Sequence, residues 1–252
     1  MHVTRRSFMV FLSFAILTLA LRLSLKRKGH KRMKGNKKRL LFLGIVFLVA
    51  FAIWTALIQM VDVRPVGIKG TDIGFATFNC WFHHLTGVHM ALYVVTDWMG
   101  LVPVFVCILF GGIGFIQLVQ RRSLFKVDCD IIFLGIYYVI VIFAYLLFEM
   151  LPINYRPVLI EGFLEASYPS STTLLVLSVM PTLIEQVNRR IEKTTVKKVV
   201  RFLAICFSMF MVAGRVVSGV HWFTDIVGSI LLSTGLFLVY KAVVLLCDKV
   251  EN

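Results

Sequence analysis

The chain has 252 residues, 59% of them hydrophobic and only 16% charged, with a formal net charge of +14 and a mean hydropathy of +0.87. That balance excludes a water-soluble domain and describes an integral membrane protein. The Lys and Arg residues stand in short runs between apolar stretches instead of on one amphipathic face, which argues against a nucleic-acid partner and suits orientation signals in a bilayer.

The first element in chain order is an apolar stretch at 7–24, behind Arg5 and Arg6. No small-x-small cleavage site follows and the next segment is strongly basic, so it reads as an uncleaved anchor. Residues 1–39 are therefore expected to form an N-terminal anchor with a basic cytoplasmic segment, and residues 40–252 a membrane domain. A hydrocarbon core about 30 Å thick takes roughly 20 apolar residues per helix. Stretches of that kind predict spans at 40–61, 100–119, 129–148, 171–187, 199–217 and 222–246. The expected fold is all-α: a polytopic bundle of six core transmembrane helices plus the extra N-terminal hydrophobic segment.

Cations fall before the 40–61 span, after 119 (Arg121, Arg122, Lys126) and after 187 (Arg189, Arg190, Lys193, Lys197, Lys198, Arg201). The positive-inside rule puts those segments in the cytoplasm and the loops 62–99, 149–170 and 218–221 outside. Trp81, Trp98 and Trp222 fit an outer aromatic belt, and the partly apolar 62–99 loop predicts an interfacial helix. The five cysteines lack metal-ligand spacing and read as small apolar side chains. No cofactor is expected, and the oligomeric state is open.

Three polar clusters then fall on one face of the membrane. "FEMLPINYRP" ends in Arg156, "SYPSSTT" opens the fourth span with Ser170, Ser171 and Thr172, and "GRVVSGVHWFTD" carries Arg215, His221 and Asp225. A charge at a bilayer centre costs about 2.5–3.5 kcal/mol on insertion scales, so Arg215 and Asp225 require partners or a polar pocket. A phosphate ligand gives each piece a use. Guanidiniums match phosphate oxygens bidentately, and a helix starting at Pro-Ser-Ser offers free N–H groups to an anion. His221 and Asp225 are four apart; a carboxylate accepting one ring N–H makes the other nitrogen the better nucleophile. With guanidiniums and a helix end to carry developing charge, no metal is required. Singly, an Arg such as Arg156 or Arg215 is more often a snorkelling anchor and the Ser run more often just a helix start, while the His–Asp pair could be structural. Their joint appearance on one face favours the phosphate site.

The pattern resembles the type 2 phosphatidic acid phosphatase superfamily, whose membrane branch has six core helices and the motifs KxxxxxxRP, PSGH and SRxxxxxHxxxD. Order and spacing match from about residue 40 to 246. The resemblance implies that His221 becomes a phosphohistidine supported by Asp225, while Arg156 and Arg215 hold the phosphoryl oxygens. It implies a lipid phosphate or diphosphate as substrate, without metal; the cation distribution places the site at the extracytoplasmic side, and the expected location is the cell membrane. Two departures bear on mechanism: Glu149 stands at the lysine position of the first motif, and Thr172 replaces the second-motif histidine that protonates the leaving group. An alcohol leaving group is about as weak an acid as water, with pKa near 15.7, whereas phosphate has a second pKa of about 6. A site lacking the acid favours a diphosphate, such as polyprenyl diphosphate, unless Glu161, Glu165 or His83 supplies the proton. Two alternatives stay open: a catalytically impaired lipid-phosphate binder, and a phosphotransferase using the same histidine. A transporter would call for paired broken helices and inverted repeats, and neither is visible.

Overall fold

The computed structural model describes residues 30–247, with side chains described for 36–245; the apolar stretch at 7–24 lies outside them. Regular structure is helical: α1 His30–Ile58, α2 Ala76–Thr86, α3 Met90–Met99, α4 Leu101–Arg121, α5 Cys129–Met150, α6 Ser171–Arg190, α7 Thr194–Val217 and α8 Phe223–Cys247. Among the described residues, five helical stretches are long and apolar enough to cross a membrane: Asn36–Ile58, Met90–Arg121, Cys129–Met150, Thr194–Val217 and Phe223–Leu245. The chain is a multi-pass membrane protein.

The remaining expected span, 171–187, is present as α6, but it is too polar to stand among those five. Its position explains this. Helix α6 packs against α4, α5, α7 and α8, and its polar side chains meet partners there instead of lipid. Tyr138 and Thr182 share a hydrogen bond of 2.7 Å, the Tyr137 hydroxyl donates to the Ser178 carbonyl at 3.1 Å, and Gln186 donates to the Tyr240 hydroxyl at 3.1 Å. Paired polar groups of this kind hold helices together where lipid gives no hydrophobic drive. At the C-terminal end of α6, Arg190 binds Asp130 at 2.8 Å and Lys241 binds Glu185 at 2.8 Å.

Three sequence expectations change. The span expected at 100–119 starts ten residues earlier, because Gly100 has helical dihedrals (φ −59°, ψ −17°) and joins α3 to α4 in one run of 32 residues. The loop before it contains helix α2, as anticipated, and ends at His89. Trp222 is no belt residue: it is buried and donates to the Tyr155 carbonyl at 2.7 Å, whereas Trp81 and Trp98 are exposed. Cys80, Cys107 and Cys206 are free thiols, but Cys129 is disulfide-bonded and so is not merely a small apolar side chain.

The loops 151–170 and 218–222 meet at one end of the bundle, beside helix α2. Trp54 and Asn79 both reach Thr224, at 3.1 and 3.0 Å, and the His89 N–H donates to the Ser218 carbonyl at 2.9 Å. The loop from 151 to 170 doubles back on itself: the Arg156 N–H donates to the Glu165 carbonyl at 3.0 Å and the Ser167 N–H to the Asn154 carbonyl at 2.9 Å. The loop thereby lays Arg156 and Ser167 beside the turn that carries His221.

Candidate active site

The turn between α7 and α8 is tight. Ser218 closes α7 through an N–H bond to the Gly214 carbonyl at 2.8 Å. Gly219 follows with φ +69°, and a Cβ there would lie 2.0 Å from the Gly87 carbonyl oxygen. Only glycine combines that dihedral with so close a backbone approach. His221 comes next and is buried. Its Nδ1 lies 3.1 Å from the Ser167 carbonyl oxygen. A carbonyl only accepts, so Nδ1 carries the hydrogen and Nε2 keeps its lone pair. Nε2 is buried without a hydrogen-bond partner among the described residues, and His221 borders a small cavity with Tyr145, Glu149, Ser167, Pro169 and Ser171. Burial, followed by the positive charges of Arg156 and Arg215, holds the imidazole pKa well below its usual value.

Asp225 sits in the first turn of α8, and its placement differs from a simple i,i+4 pair on one helix, because His221 precedes the helix. The carboxylate accepts the Trp222 N–H at 2.9 Å and the Asn154 side-chain amide at 3.3 Å. Its Oδ2 stands 3.7 Å from His221 Nδ1. The nearer acceptor for the ring hydrogen is therefore the Ser167 carbonyl. Asp225 caps the start of α8 in the manner of the acidic residue of a capping box and faces the imidazole electrostatically.

Arg156 and Arg215 come from different elements and share one ring: their guanidinium carbons lie 5.8 and 4.9 Å from the centre of Tyr93. Arg215 is 1% exposed and donates through Nη2 to Asp97 Oδ1 at 2.7 Å and to the Thr172 hydroxyl. Arg156 Nε lies 3.1 Å from Glu165. Arg156 Nη1 and Arg215 Nε and Nη1 are buried with no hydrogen-bond partner among the described residues. Donors of charged groups seldom stay buried and unpaired.

The start of α6 divides the expected phosphate-binding set. Ser170 is fully buried and its hydroxyl donates to Thr173 at 3.0 Å, so it faces the bundle and not the cavity. Ser171 lines the cavity. Thr172 is tied to Arg215. No side chain caps this helix end, which leaves the N–H groups of its first turn without intrahelical acceptors.

Of the groups weighed as substitute acids, Glu165 binds Arg156 and Glu161 is exposed on the 151–170 loop. His83 is bonded through Nε2 to the Gly219 carbonyl at 3.0 Å and supports the turn from behind; burial lowers its pKa. Glu149 lines the cavity beside His221 and does not pair with Arg156. Several neighbours were not anticipated from the sequence: Tyr93 beneath both guanidiniums, Asp97 on Arg215, Asn154 on Asp225 and the Ser167 carbonyl on His221. Asp97 alone left a trace, as the single carboxylate in the apolar run "MALYVVTDWMG". A backbone carbonyl leaves none.

A helical membrane bundle that holds an unencumbered imidazole nitrogen and two arginines at one end has the groups to bind and attack a phosphoryl group. A family model described as the PAP2 superfamily matches residues 108–247, and the chain belongs to that superfamily; it is a phosphatase of the hydrolase class. Among solved structures, the chain is similar to a transmembrane PAP2-type phosphatidylglycerolphosphate phosphatase from Bacillus subtilis, with 18% identity and a TM-score of 0.57, over 79% of this chain and 94% of that one. No curated protein matches the chain.

Proposed function

We propose that the protein hydrolyses a lipid diphosphate, of which polyprenyl diphosphate is the type, through a phosphohistidine on His221 and without a metal. The observation that carries this reading is the set of buried, unpartnered nitrogens: His221 Nε2, Arg156 Nη1 and Arg215 Nε and Nη1. A phosphoryl group supplies acceptors for the guanidinium donors and an electrophile for Nε2. In the first step Nε2 bonds to phosphorus as the bridging P–O bond breaks, and the electron pair leaves with the departing group. Asp225 and the Ser167 carbonyl steady the ring while it gains positive charge. Thr172 offers a hydroxyl in place of an acid, so departure is easy for a phosphate and hard for an alkoxide.

The cations that precede the apolar part of α1, flank the α4–α5 connection and flank the α6–α7 connection support placing the opposite, site-bearing end at the extracytoplasmic face of the cell membrane. The test is phosphate release in detergent, with chelator present, from a panel of lipid diphosphates and monophosphates. Diphosphates are expected to react faster, chelator to have no effect, and His221→Ala to abolish release. Equal rates on both substrate classes would remove the leaving-group argument, and a requirement for added magnesium would contradict the metal-free mechanism.

A further inference from the structure

We infer that Glu149 is the general base that activates water against the phosphohistidine, an inference that rests on the phosphohistidine reading above. The side chain is singled out by what the other carboxylates are doing. Asp97 is held by Arg215 at 2.7 Å, Glu165 by Arg156 at 3.1 Å, and Asp225 is buried under the Trp222 N–H and the Asn154 amide. Glu149 is exposed, has neither hydrogen bond nor ion pair among the described residues, and lines the same small cavity as His221 and Ser171. The last turns of α5 bring it there: Tyr145 and Phe148 border the cavity with it.

The two chemical steps ask for different groups. Departure of a phosphate from phosphorus calls for no proton donor. Attack by water on the phosphohistidine produces a proton that must leave, and the Thr172 hydroxyl, bound by the Arg215 N–H, has no basicity to take it. A carboxylate on the cavity wall does. The water oxygen bonds to phosphorus as the P–N bond breaks, the electron pair returns to His221 Nε2, and the water proton passes to Glu149 and then to solvent. Inorganic phosphate leaves. A lysine at this position would hold the anion but accept no proton, so the exchange of Lys for Glu trades phosphate affinity for the base that Thr172 does not provide.

The experiment is rapid-quench labelling of the full-length protein in detergent, with polyprenyl diphosphate carrying radioactive terminal phosphate. For Glu149→Gln the expected result is a burst of lipid monophosphate close to one per protein, label trapped on His221 and steady-state turnover lower by about 10²–10⁴-fold. Hydroxylamine, a nucleophile that works without a base, is expected to restore turnover to this variant, and Glu149→Asp to retain part of it; a purely structural role would give neither. Wild-type turnover in Glu149→Gln, equal label lifetimes in the two proteins, or loss of burst and turnover together would overturn the role of Glu149 while leaving wild-type labelling intact. Absence of label from both proteins during continued phosphate release would instead remove the phosphohistidine.

Discussion

The hydrogen on His221 Nδ1 decides which nitrogen is free to react, and it is fixed by a backbone carbonyl 3.1 Å away at Ser167. Burial and the two arginines keep the ring neutral. The unfolded chain takes up this proton near the ordinary imidazole value of about 6.5, and the folded chain only at lower pH. The folded state thus loses stability at this residue as pH falls through that value, while the nucleophile stays competent below it. An NMR titration of the His221 ring in detergent is expected to find it neutral at pH 6.5; a ring half protonated at or above that pH would contradict the account. The tautomer was not legible in the sequence, where the His221 to Asp225 spacing pointed to the carboxylate as the ring's acceptor. A separation of 54 residues lies between His221 and the carbonyl that does the work.

At the scale of elements, the third motif is a device for ending one helix and starting the next. Gly219 makes the turn, Asp225 caps α8, and Gly228 lets α8 approach Tyr168, whose ring would lie 2.4 Å from a Cβ there. Gly214, which stands where the family pattern has Ser, has a similar cause: a Cβ would come within 2.6 Å of Thr96 Cγ2, on a side chain that is fully buried. Helix α7 meets α3 through this contact. Restoring the family residue, Gly214→Ser, is expected to destabilise the protein by about 1–3 kcal/mol through overpacking, measured as a lower thermal midpoint in detergent; unchanged stability would show that α3 yields freely. Apolar run length made most of the spans legible. It misplaced the start of the 90–121 run because Gly100 looks like a break and is helical, and it gave no hint that α6 is central, since hydropathy records composition and not which neighbours satisfy the polar side chains.

For the whole molecule, the fold gathers Arg156, Arg215 and His221 from loops and helix ends far apart in the chain, with Tyr93 beneath both cations. Motif order made that gathering legible. The pairing of Asp97 and Glu165 with the same cations was not: Asp97 meets Arg215 across 118 residues, and Glu165 meets Arg156 within an irregular loop, where no helical spacing marks a partner. The proposed orientation follows from cation distribution, so single cysteines placed in a chain whose free thiols are changed to alanine test it. A cysteine at Glu161 is expected to react with an impermeant thiol reagent in intact cells, and one at Phe125 to be protected; the reverse pattern would invert the topology. The most direct measurement of the central claim is a structure with orthovanadate bound. Vanadium is expected bonded to His221 Nε2 with its oxygens on both the Arg156 and Arg215 guanidiniums; vanadate seated away from His221, or held by one arginine alone, would contradict a shared phosphate site.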